Sequence, residues 1–81
     1  MKIPRDVSGE DLARALKRLG YEKTRQSGSH IRLTYQAQGK EHHVTVPAHK
    51  QLTGGTLGQV LSDVATNLSI SRDDLIEQLF G

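Results

Sequence analysis

Cysteine is absent from this sequence. That excludes disulfides, thiolate nucleophiles and every zinc site built on sulfur. Long apolar runs are missing as well. The opening stretch, MKIPRDVSGEDL, is charged and contains proline where a secretory leader would carry an apolar core. A cytoplasmic protein with no membrane segment is the expectation. Neither sign of charge is in large excess: eleven Lys and Arg stand against nine Asp and Glu, a net of +2. At 81 residues the chain is expected to form one domain, 1–81. Its core is small, because a chain this short buries only roughly 60–70% of its unfolded surface. Any active site must then lie on the surface or in a shallow groove.

The charges that are present are unevenly placed. Arg14, Lys17, Arg18, Lys23, Arg25 and Arg32 fall between residues 14 and 32 against a single Glu22. Asp73, Asp74 and Glu77 close the chain against Arg72 alone. A basic first half suggests a polyanionic partner, although such patterning is more commonly a solvated surface.

Apolar spacing predicts the elements. Ser8 is a helix cap with Asp11 three residues on, and Val7 and Leu12 hold the hydrophobic-staple positions. Leu12, Ala15, Leu16 and Leu19 then form one helical stripe, and Gly20 supplies the left-handed stop. Arg14, Lys17 and Arg18 fall off that stripe, toward water or a partner. Three strand-like runs follow. YEKTRQ is polar and reads as an edge. In SHIRLTY, Ile31, Leu33 and Tyr35 share one face while His30, Arg32 and Thr34 share the other. In HHVTVP, Val44 and Val46 point in, His43 and Thr45 point out, and Pro47 ends the run. Ser27-Gly28 marks a tight turn, and QAQGKE a looser loop. Leu57, Val60, Leu61 and Val64 make a second helix after Thr53, and Ser71 caps a short last one. The predicted class is α+β, ordered α-β-β-β-α with an extra short C-terminal helix. Its three-stranded antiparallel sheet carries the helices on one face.

This alternation brings His30, Arg32, Thr34, His43 and Thr45 together on the opposite, open face. An imidazole titrates at about 6.5 in its unperturbed state, so it moves protons near neutrality without special burial. A neighbouring guanidinium can hold a phosphate oxygen. Exposed His and Arg on strands are commonly mere surface; for His30 the two readings start level, while for Arg32 and His43 the inert one leads. Metal catalysis is not expected: His42 and His43 point to opposite faces, and no His-x-x-x-His spacing occurs among His30, His42, His43 and His49. No G-x-S-x-G elbow is present. LTGGTLG lacks the lysine of a P-loop and reads as a flexible helix start or an anion seat.

The succession RDVSGEDLARALKRLGYEKTRQSGSHIRL, then HHVTVPAHKQLTGGTLGQVL, resembles the HicA toxins, small mRNA interferases of bacterial and archaeal toxin–antitoxin systems. The likeness runs from about Pro4 to Val64. It includes the Gly-Tyr exit of the first helix, the Arg-Gln-x-Gly-Ser-His turn, Val-Pro-x-His and Gly-Thr-Leu. No single motif is distinctive, but their order and spacing are.

The resemblance implies a double-stranded-RNA-binding-domain-like fold. It also implies a type II toxin that cuts RNA without a metal or other cofactor, using the histidine of the G-S-H turn, here His30. A HicB-like antitoxin would cover that histidine, and messenger RNA would be the substrate. On this reading Gly28 and Ser29 position His30, while Arg25, Arg32 and Lys50 hold phosphates. His49 falls on the Val-Pro-x-His position without an implied role. The chain departs from the family pattern at Arg32 and in its extension past Leu68. The competing expectation is a non-catalytic RNA-binding module of the same fold.

Overall fold

The computed structural model describes residues 6–81. Positions 1–5, which the expected single domain and the likeness beginning at Pro4 both include, lie outside the described residues. The elements run α1 (Gly9–Lys17), β1 (Tyr21–Ser27), β2 (His30–Ala37), β3 (Lys40–Pro47), α2 (Gly54–Leu68) and α3 (Arg72–Phe80). The strands form one antiparallel sheet in the order β1-β2-β3. This is the α+β layout that the apolar spacing predicts.

Local chemistry explains why α1 begins where it does. The Ser8 hydroxyl accepts from the Asp11 amide at 3.0 Å, and the Asp11 carboxylate accepts from the Ser8 amide at 3.4 Å. Two otherwise orphaned donors are thus satisfied in a capping box. Val7 and Leu12 are both buried, as a staple requires. Gly9 has a further reason to be glycine: a Cβ there would overlap the Pro47 carbonyl oxygen. The Gly9 amide donates to the His49 carbonyl at 2.9 Å, and the Leu52 amide to the Val7 carbonyl at 2.8 Å. These bonds lace the start of α1 to the chain leaving β3.

Both hairpins close with two-residue turns. Gly28 has φ +59°, the positive first position of a type II′ turn. Gln38 and Gly39 have φ of +53° and +78°, the two positive values of type I′. The second turn is therefore tighter than the loose loop expected from QAQGKE. Its twist matches that of the flanking strands, so β2 and β3 pair up to Ala37 and Lys40. Strand β3 accordingly starts before HHVTVP.

Tyr21, Ile31, Leu33, Val44 and Val46 form the inner sheet face and are all buried. Leu12 and Leu16 of α1, Leu57, Leu61 and Val64 of α2, and Leu75 and Leu79 of α3 complete one core. Helix α1 lies against all three strands and α2 against β3, while α3 packs on α1 and α2. Arg18 is exposed, as its place off the stripe predicts, and also donates to the Leu79 carbonyl at 2.6 Å, satisfying the open end of α3. All three helices thus sit on one side, leaving the other sheet face open. Among the described residues, no helix is long and apolar enough to cross a membrane.

Candidate active site on the open sheet face

His30 is the first residue of β2, the central strand, and is exposed. Its backbone is flanked on both sides, paired with Ser27 of β1 and Pro47 of β3. Pro47 has no amide hydrogen to give. The hydrogen bonding continues one residue further, where the Ala48 amide donates to the Ser29 carbonyl at 2.6 Å. The Gly28-Ser29 turn is thereby tied to the chain after β3, and His30 stands on a braced backbone. Its imidazole makes no hydrogen bond among the described residues, so both ring nitrogens are open to a substrate.

Arg32 follows two residues on, exposed and on the same face. Arg25 joins it by an irregular route. Strict alternation from buried Tyr21 would send Lys23 and Arg25 to the helix side together. The pairing instead steps from Lys23↔Leu33 to Arg25↔Arg32, so Thr24 is the extra residue of a β-bulge. Directly paired residues share a face. The bulge therefore turns Arg25 outward beside Arg32, with Ser27 outward beside His30. Lys50 is exposed in the loop between Pro47 and Thr53, which leaves the sheet at the His30 end. The sequence-predicted residues Arg25, Gly28, Ser29, His30 and Arg32 are thus gathered on one hairpin, while Lys50 is carried separately on that loop.

The basic stretch between residues 14 and 32 splits in three dimensions. Helix α1 covers the inner face, so its cations lie on the far side of the molecule from Arg25 and Arg32. There Arg14 meets Asp11 at 3.5 Å and Arg18 serves α3. A polyanion on the open face meets the hairpin arginines, not the helix cations.

A polar chain that residue-by-residue reading does not reveal crosses the open face. Thr34 is only 7% exposed although no helix covers it. Its hydroxyl lies 2.9 Å from that of Thr24 and 2.8 Å from His43 Nδ1. His43 Nε2 faces the Glu41 carboxylate at 4.0 Å, and Gln36 donates to Glu41 at 2.7 Å. Which of the Thr34 hydroxyl and His43 Nδ1 donates follows from the imidazole tautomer. Acid, imidazole and hydroxyl stand in the order of a hydrolase triad. Thr34 is nevertheless a poor nucleophile here, buried and held between two partners, and its effect is to fix the His43 ring. The only hint in the sequence is the run of Thr and His at outward positions.

On the inner face a second network closes the core. The Tyr21 hydroxyl lies 2.7 Å from His42 Nδ1 and accepts from Asn67 of α2 at 3.1 Å. Burial pushes the Tyr21 phenol above its ordinary value, with the Asn67 hydrogen bond opposing. Among the described residues, no three His, Asp or Glu side chains converge as a metal site.

A family model described as HicA toxin of bacterial toxin–antitoxin matches residues 9–65, which span α1, the whole sheet and most of α2. No curated protein and no solved structure matches the chain.

Proposed function

From the premise that this chain belongs to the HicA toxin family, and so is a toxin of a toxin–antitoxin system with an antitoxin as its partner, we propose that it is a metal-independent endoribonuclease. It is a type II toxin, one domain over residues 1–81, that cuts messenger RNA and is silenced by a HicB-like antitoxin covering His30.

The observation that carries this reading is the grouping of an exposed, braced imidazole with two outward arginines on one hairpin. RNA supplies its own nucleophile, the ribose 2′-hydroxyl. Cleavage then needs a proton acceptor for that hydroxyl, a donor for the departing 5′-oxygen, and cations on the phosphate. His30 fills one proton-transfer role. Arg25 and Arg32 hold the non-bridging oxygens, with Lys50 on the adjoining loop as a further phosphate contact. Attack of the 2′-oxygen on phosphorus forms one P–O bond and breaks the bond to the 5′-oxygen. The products are a 2′,3′-cyclic phosphate and a 5′-hydroxyl. Gly28 and Ser29 set the turn from which His30 projects.

The test is incubation of purified protein with RNA in EDTA, followed by analysis of fragment ends. Fragments ending in cyclic phosphate are expected from the wild type and not from His30→Ala. RNA that is bound but never cut would leave the non-catalytic binding module as the better reading. Cutting abolished by EDTA would overturn the metal-independent mechanism.

A further inference from the structure

The open face holds more than the hairpin around His30. A groove of about 400 Å³ runs beside it, lined by Glu22, Arg32, Thr34, Gln36, Glu41 and His43. That volume lies at the small end of the range for ligand pockets, about 300–1,000 Å³. We propose that this groove is a base-reading subsite that holds a guanine of the RNA strand, a couple of nucleotides from the bond at His30. The inference rests on the reading of the chain as an RNA-cutting toxin and adds to it the determinant of where it cuts.

Charge decides which part of the nucleotide enters. Arg32 lines the end of the groove nearer His30, with Arg25 paired beside it, and a phosphate belongs there. Two carboxylates, Glu22 and Glu41, stand in the groove itself. They repel phosphate and accept hydrogen bonds from a base. Spacing agrees. Thr34 and its partner His43 lie four residues along β2 from His30, about 13 Å at roughly 3.3 Å per residue. That is too far for His43 to share a scissile phosphate with His30, and it is the reach of a neighbouring position on an extended strand.

Chemistry selects the base. Guanine presents two adjacent donors, N1–H and the N2 amino group, which a single carboxylate can accept together. On another edge it presents O6 and N7, the acceptors that a guanidinium pairs with. Adenine, cytosine and uracil offer a carboxylate only one such donor group on that edge. Recognition here is by hydrogen bonding rather than by sequence-tolerant stacking. Tyr21 and Tyr35 turn their rings to each other on the helix side, 5.1 Å apart, and Phe80 is on α3. The groove is also pre-organised. Thr34 fixes His43, and Gln36 fixes Glu41, while Glu22 has no bond among the described residues. A hydrogen-bonded array on a water-facing surface adds little to stability.

The experiment maps cut positions on a short RNA of randomised sequence. It then repeats cleavage with inosine, which lacks the N2 amino group, at the selected position. Wild-type cuts should concentrate where guanine stands at one fixed offset, and inosine there should slow cutting about tenfold, within the range of one good paired contact. The combined Glu22→Gln and Glu41→Gln variant should bring the guanine-to-inosine ratio close to one. The same ratio is read in binding by His30→Ala protein, which keeps the groove whether or not the histidine cuts. No fixed-offset guanine, or a ratio unmoved in the double variant, overturns the subsite. Full cutting by His30→Ala overturns the His30 mechanism instead, and leaves the binding ratio to decide the groove.

Discussion

The two faces of the sheet are built from the same three strands, and they carry different burdens. On the inner face Tyr21, Leu33 and Val46 are fully buried beneath the helices. There, each apolar square ångström removed from water contributes about 25 cal/mol. The outer face leaves His30, Arg32 and Thr45 exposed, and its one buried side chain, Thr34, is shielded by polar neighbours. Both faces have a hydroxyl–imidazole pair. Inside, the buried Tyr21 meets the half-buried His42 and is tied to α2 through Asn67. Outside, Thr34–His43 lies beside an open groove. An unmade bond is costly in the first setting, whereas water can replace one in the second. Inner substitutions should therefore read out as stability, and outer ones as chemistry.

The largest expected departure from balance between the faces is His30→Ala. It removes no packing, so its stability should stay within about 0.5 kcal/mol of wild type. Its cleavage rate should fall about 10²–10⁴-fold. Parallel denaturant melts and RNA cleavage assays check both halves, and an unfolded variant would show His30 to be part of the core. Leu33→Ala, three residues along the same strand but on the other face, should do the reverse. A loss of about 2–5 kcal/mol should appear in urea titrations, with any fall in activity following the folded fraction.

Tyr21→Phe sharpens the contrast between the two hydroxyl–imidazole pairs. It removes the shared partner of the half-buried His42 and Asn67 and should cost about 0.5–1.5 kcal/mol. Its pH signature is also set. The folded-state phenol lies above the ordinary value of 10.0 because of burial. The unfolded chain therefore gives up this proton first as pH rises. Stability from this group is complete below the unfolded value and is lost as pH climbs through the folded one. The Phe variant should lose less stability than wild type between neutral and strongly alkaline pH, measured by denaturant midpoint.

The smallest effect belongs to Arg25→Ala with Arg32→Ala. Stability should barely move, and the slope of log RNA affinity against log salt should flatten by about 1.4, for two phosphates on a single strand. An unchanged slope would move the RNA off the open face, to the helix cations on the far side.

Helix caps, the inward alternation of Ile31 and Leu33, and the outward placing of His30 were all legible from spacing. Each depends on neighbours within a few residues. Less legible were the tight Gln38-Gly39 turn, where a non-glycine takes positive φ, and the use of Arg18 to close α3. A turn type depends on the twist of the strands it joins, and a cross-helix bond depends on partners 61 residues apart.

Local pattern thus determined which residues are helix, which are strand, and that His30 would face away from the apolar stripe, because periods of 3.6 and 2 are properties of the backbone itself. Tertiary structure alone decided the company His30 keeps. The bulge at Thr24 resets the period of β1 and brings Arg25 to the open side. The packing of α1 on the inner face carries Arg14 and Arg18 to the far side. Pairing of β2 with β3 sets Thr34 against His43. A bulge is one extra residue relative to a partner strand, and a face is defined only by what covers the other, so neither exists until the strands have paired and the helices have docked.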